Sequence, residues 1–251
     1  MSWSDRAATF AALHVPGDPL VLFNIWDVGS ARAVAKAGAK ALATGSASVA
    51  GALGAADGED LPMDFALDNA ARITSALDLP LTLDFEGGYS ADPETGGQHA
   101  VLAKHAGAVG INFEDQVIGG DGLYDIATQS ARITAIREAA GSEFWINART
   151  DIFLKAKPDT HDAAMVETAL ERARAYADAG GSSIFAPGLR DAALMTAFCE
   201  GCPLPVNIMA YPGMSDRATL ASCGVARISH GPFPWMDAMK AVGEAASAAM
   251  K

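Results

Sequence analysis

The residues best suited to chemistry are carboxylates placed where short apolar runs end. Leu83-Asp84-Phe85-Glu86-Gly87-Gly88-Tyr89 closes such a run with two carboxylates one residue apart. Strand alternation turns Asp84 and Glu86 to the same side, and two like charges so close are unfavourable without a cation near them. Gly87 and Gly88 then allow a tight turn or the close approach of a ligand. Ile111-Asn112-Phe113-Glu114-Asp115 sets Asn112 and Glu114 on one face, and Trp145-Ile146-Asn147-Ala148-Arg149-Thr150-Asp151 does the same for Asn147, Arg149 and Asp151. Pro205-Val206-Asn207 offers Asn207, Arg227-Ile228-Ser229-His230 finishes with a histidine, and the loop around Asp57 adds another carboxylate. Oxygen-only donors of this kind suit Mg2+, or Mn2+, better than zinc, and Mg2+ commonly keeps several waters.

Elements that could bring these groups together are visible as an alternation. Short β-branched or apolar runs at Leu20–Phe23, Ala39–Thr44, Leu81–Asp84, Val109–Phe113, Phe144–Ala148, Ser183–Phe185, Val206–Met209 and Ala226–Ser229 read as strands. Between them Ala31–Ala37, Asp64–Leu77, Gln98–Ala106, Ala127–Ala139, Asp162–Ala179, Asp191–Cys199 and Asp216–Ser222 carry helical spacing, and Met236–Met250 reads as the last helix. An extra helix near Asp5–His14 could close the bottom of a barrel. Eight strand–helix units in 251 residues, without a linker or a GxGxxG after the first strand, predict one (β/α)8 TIM barrel over residues 1–251 rather than a doubly wound sheet. A barrel places its reactive groups at the carboxyl ends of its strands, where these polar residues fall.

Each group also has an ordinary structural reading. An aspartate at a strand end often caps a helix, Arg149 could simply pair with Asp151, and His230 could be a satisfied core histidine. Lys155 could form a Schiff base with a 2-oxo acid, but it sits in a loop beyond its strand with Lys157. His14, His99, His105 and His161 lack ligand spacing and are expected on solvated faces. Cys199, Cys202 and Cys223 form no disulfide framework, and the CxxC lacks partners for a metal site. No GxSxG indicates a hydrolase triad. A net charge of -12 disfavours nucleic acid and anionic membranes, so an acidic ligand needs a local metal or arginine. No export signal or membrane span is read, and a cytoplasmic location is expected.

The sequence resembles the isocitrate lyase/phosphoenolpyruvate mutase superfamily, particularly its short bacterial members, over nearly its whole length. The resemblance rests on Asn24-Ile25-Trp26-Asp27-Val28-Gly29-Ser30-Ala31, Thr44-Gly45-Ser46-Ala47, Asp84 to Tyr89, Gly110 to Asp115, Ile146 to Asp151 and Phe185-Ala186-Pro187-Gly188-Leu189. It implies Asp84 as the direct Mg2+ ligand, with Asp57, Glu86 and Glu114 holding metal-bound waters. It also implies Arg149 and the backbone N–H groups of Ser46 and Ala47 on the carboxylate of a small anionic 2-oxo acid, Trp26 packed over that substrate, and Asn207 lining the pocket. A homotetramer built from dimers that exchange their last helix is implied as well.

The shared chemistry of that superfamily makes or breaks a bond beside a pyruvate enolate. Lyases acting on isocitrate or 2-methylisocitrate carry a cysteine in the mobile loop after the Glu114 strand and a glutamate where this chain has Pro187; residues 116–124 contain no cysteine. Phosphonate mutases bear lysine in that loop, and Val117 to Gly122 has none. Decarboxylation of oxaloacetate or a similar 2-oxo diacid asks for little beyond metal and arginine, because the leaving CO2 needs no general acid. That reaction is the expectation, with His230 as proton donor or polar wall. P–C bond chemistry on phosphonopyruvate, a metabolite-binding barrel without activity, and a Lys155 aldolase are the competing readings.

Overall fold

The computed structural model describes residues 1–214 and 216–251. Eight parallel strands, β1 (Leu20–Leu22), β2 (Leu42–Ala43), β3 (Leu81–Asp84), β4 (Gly110–Glu114), β5 (Trp145–Arg149), β6 (Ser183–Phe185), β7 (Val206–Met209) and β8 (Arg227–Ser229), form one sheet. Its order is β1-β8-β7-β6-β5-β4-β3-β2, and a parallel bridge between Ile25 and Thr44 joins its two ends. This is the (β/α)8 TIM barrel expected from the alternation.

Helices α1 (Trp3–Ala12), α2 (Val28–Lys36), α3 (Ser46–Leu53), α4 (Met63–Ala76), α5 (Pro93–His105), α6 (Ile126–Ala140), α7 (Ile152–Lys155), α8 (Ala163–Asp178), α9 (Ala192–Gly201), α10 (Arg217–Ser222) and α11 (Phe233–Ala249) complete the chain. Aspartates start many of them: Asp27, Asp92, Asp125, Asp162, Asp191 and Asp216 each accept a first-turn backbone N–H. The sequence reading missed α3, whose small-residue run lacks polar punctuation, and began α5 at Gln98, past the Asp92 cap, Pro93 and Gly96-Gly97. A Cβ on Gly97 would lie 2.8 Å from the Ala135 carbonyl of α6, so glycine serves close helix contact there.

Two environments fill the barrel. Ile111, Ile146, Ile184 and Ile228 point outward into the apolar layer beneath the helices. The interior carries buried polar groups: Asn147 Nδ2 donates to Asn112 Oδ1 (2.6 Å) and Asn207 Oδ1 (3.0 Å), and Arg227 Nη2 donates to Asn112 Oδ1 (3.0 Å). At the bottom, α1 and the segment just after it plug the barrel with Phe10 and His14, the imidazole stacking on Trp145 at 4.2 Å. His14 is thus buried rather than solvated, and burial, with the Arg227 charge, lowers its pKa to about 3. His99 and His161 are half-buried on the carbonyls of Gly88 and Phe153, whereas His105 is exposed as expected.

Candidate active site

At the carboxyl ends of the strands lies a cavity of about 270 Å³, lined by residues from every part of the barrel, including Asn24, Ser46, Ala47, Asp57, Asp84, Asn112 and Arg149. Asp84 ends β3 with its backbone N–H on Thr44 Oγ1. Its Oδ2 accepts from the Ser46 N–H (2.9 Å) and its Oδ1 from Asn112 Nδ2 (3.4 Å). Ser46 and Ala47 open α3, which starts at Gly45 with no side-chain cap. The Ser46 N–H is already held by Asp84, which leaves the Ala47 N–H as the first-turn donor at this helix start for an anion in the cavity.

The next turn is held under strain. Glu86 and Tyr89 have φ of 49° and 57°, and Glu59, facing them, has 62°. Such conformations in non-glycine residues persist where surroundings enforce them. Here Glu86 Oε2 accepts from the N–H groups of Gly58 and Glu59, both at 2.7 Å, and Glu59 Oε1 accepts from Tyr89 N–H (2.8 Å). Arg132, lying between the Phe113 and Tyr124 rings, donates to the carbonyls of Gly87 and Ser90. The loops carrying Asp57 and Glu86 are therefore clasped together.

Crowding of carboxylates shows in their acidities. Burial, then the charges of Asp84 and Asp57, raises Glu86 to about 7. Partial burial and Asp84 also raise Asp57, and burial lifts Glu114 above the ordinary carboxylate range against the pull of Arg149. Arg149 is committed on two sides: Nε and Nη2 meet Asp151 (2.6 and 2.8 Å), and Nη1 meets Glu114 (2.7 Å). Burial opposes its charge, but Glu114 and Asp151 raise its pKa overall. Three of its five N–H groups are used, leaving two for a ligand. Asp151 is itself fixed, its N–H donating to Asp115 Oδ1.

Among the described residues no three His, Cys, Asp or Glu side chains converge tightly enough to enclose a metal ion directly. The oxygen donors and their mutual repulsion suit a hydrated, hard dication bound partly through water.

Several anticipated residues lie elsewhere. His230 points away from the cavity: its ring packs 5.0 Å from Phe23, Nδ1 lies 3.4 Å from the Leu22 carbonyl, and it borders a separate groove with Phe233 and Asp237. Alternation along β8 already indicates this, since Arg227 and Ser229 face inward. Trp26 is half-buried beside Val49, Ala50 and Leu61, outside the cavity lining. Asn207 lies fully buried beneath it, bound to Asn147 and Ser229. Lys155 is exposed on α7 and does not line the cavity, so nothing in the geometry favours a Schiff base. Reading the sequence overlooked Asn24, which continues the inward parity of Leu20 and Leu22. Its Oδ1 accepts from the N–H groups of His230 and Gly231, and its Nδ2 donates to the Thr44 carbonyl.

Comparison with known proteins agrees with this geometry. The family model described as phosphoenolpyruvate phosphomutase matches residues 10–250. The chain belongs to that family. Within the isocitrate lyase/phosphoenolpyruvate mutase superfamily, an uncharacterised Mycobacterium tuberculosis protein is 33% identical over 96% of this chain and 88% of its own length. The 2-methylisocitrate lyase of Escherichia coli is 26% identical, covering 98% and 83%, and the oxaloacetate decarboxylase of Pseudomonas savastanoi pv. phaseolicola 26%, covering 96% and 83%. A crystal structure from Burkholderia cenocepacia, of a protein provisionally named a phosphonomutase, superposes with a TM-score of 0.96 at 45% identity, covering 99% of this chain and all of that one. The family is thus one of enzymes that includes lyases and mutases. No helix among the described residues is long and apolar enough to cross a membrane.

Proposed function

We propose that this chain is a Mg2+-dependent lyase that cleaves a C–C bond of a small 2-oxo diacid through a pyruvate-type enolate, in the manner of an oxaloacetate decarboxylase. The observation that carries the reading is one cavity lined by Asp57, Asp84, Asn112, Arg149 and the first residues of α3, Ser46 and Ala47. Asp84 would hold Mg2+ directly, with Asp57, Glu86 and Glu114 contacting it through water. When bound, the ion supplies Lewis-acid withdrawal of the charge that develops on the 2-oxo oxygen. Arg149 and the α3 N-terminus seat and orient the substrate carboxylate. Asp151 and Glu114 fix the guanidinium plane, so its two remaining N–H groups are already aimed before substrate arrives. Among the described residues no lysine, cysteine or histidine lines the cavity, which suits a bond cleavage whose leaving group is CO2.

The test is a panel of 2-oxo and 2-hydroxy diacids, with and without EDTA, monitored for pyruvate or its homologues. Chelator-sensitive release of CO2 from a 2-oxo diacid is expected, and its absence across the panel would remove the decarboxylase reading. The likeness to the B. cenocepacia protein favours a second reading, P–C cleavage of phosphonopyruvate. Phosphate and phosphoenolpyruvate assayed beside CO2 separate the two.

A further inference from the structure

The cavity is divided by strand order. From β1 round to β5 the lining carries Asn24, Ser46, Asp57, Asp84, Asn112 and Arg149, whereas the ends of β6 and β7 and the loops after β5 to β8 contribute Leu154, Phe185, Pro187, Met209 and Phe233, with the hydroxyls of Tyr211 and Ser229 among them. Among the described residues Arg149 is the one cationic side chain in that lining, and two carboxylates already engage it. A third carboxylate on the substrate would meet no second cation there, only the hydroxyls of Tyr211 and Ser229 amid hydrocarbon, which is costly. The volume, about 270 Å³, falls just under the lower end of cavities that enclose drug-sized ligands. Pyruvate alone leaves much of it unfilled.

We propose that the apolar arc receives a hydrocarbon substituent on C3, so that the preferred substrate is a C3-alkyl 2-oxo diacid rather than unsubstituted oxaloacetate. This rests on the 2-oxo acid reading above. The C3–C4 bond breaks, its electron pair enters the C2–C3 enolate, CO2 departs, and C3 takes a proton from solvent to give a longer 2-oxo monoacid. Leu154 on α7 and Met209 at the end of β7 are the side chains that meet the alkyl group in this assignment.

Binding of the product series separates this idea from its parent. Pyruvate, 2-oxobutanoate, 2-oxopentanoate and 2-oxohexanoate are titrated calorimetrically into the whole protein in Mg2+. Burial of each methylene is expected to tighten binding about fourfold until the arc is full. Replacing Leu154 and Met209 together by Asn should flatten that trend, with the melting temperature confirming a folded protein. Pyruvate binding with no gain along the series, or a gain that survives the double replacement, overturns the apolar-arc assignment and leaves the 2-oxo acid reading standing. Failure of every member to bind in Mg2+ overturns both.

Discussion

Asp84 is where the electrostatics of the site meet. Its two oxygens are tied to the Ser46 N–H and to Asn112, and after burial its charge is the next cause that raises Asp57 and Glu86. Asp84→Asn keeps an acceptor for Ser46 while removing the charge, so we expect stability to change by no more than about 1 kcal/mol. Mg2+ affinity should fall by more than the roughly 10–100-fold typical of losing an outer partner of a metal ligand, and kcat/KM should fall with it. Calorimetric Mg2+ titration beside thermal unfolding checks both; wild-type Mg2+ affinity in the variant would remove Asp84 from the metal site. Strand parity made the direction of Asp84, Glu114 and Arg149 legible in the sequence, because it fixes which way a side chain leaves a strand, whereas Glu86 lies past β3 in a left-handed turn and is aimed by the Gly58 and Glu59 N–H groups. The double engagement of Arg149 was not legible, since parity says nothing of contacts between strands. His230 was misplaced because its residue type outweighed the parity of β8.

At the scale of elements, α1 is the plug that closes the barrel, and its burial of His14 has a pH signature. The imidazole is pushed from 6.5 to about 3, with burial the larger cause and Arg227 the second. Between these values the unfolded chain binds the proton and the folded one does not, so stability falls as pH drops through that window. The slope from this group reaches about 1.4 kcal/mol per pH unit. His14→Phe, which keeps a ring against Trp145 and Phe10, should therefore lose less stability between pH 6.5 and 4 than the parent. Denaturant titrations at several pH values measure the difference, and parallel pH profiles would show that His14 does not titrate as described. Most strands were legible as short apolar runs, being buried on both faces, and most outer helices from the one face each buries. α3 and the first turn of α5 were not, since runs of alanine, serine and glycine carry little periodic contrast.

In the whole molecule α11 stands apart. Of its residues Phe233–Ala249 only Pro234 is buried, while Met236, Met239 and Val242 are 51%, 42% and 61% exposed. A 17-residue helix with so little packing gains little stability from its own sequence. An apolar groove of about 850 Å³ also remains open between α1, β1 and α2, lined by Leu20, Phe23 and Val34. We propose that α11 packs on a second copy of the chain, in a homotetramer assembled as two such pairs. Light scattering should then give four times 25.8 kDa, and Met239→Asp with Val242→Asp should shift the mass downward. A parent that runs as a monomer at micromolar concentration would refute the exchange. The barrel itself has a seam: β1 and β2 share no ladder, and the Ile25–Thr44 bridge and the Asn24 amide span the gap. Asn24 and Ser46 sit on opposite lips of that seam, so a slight parting there would widen the reaction chamber while the remaining staves kept their register.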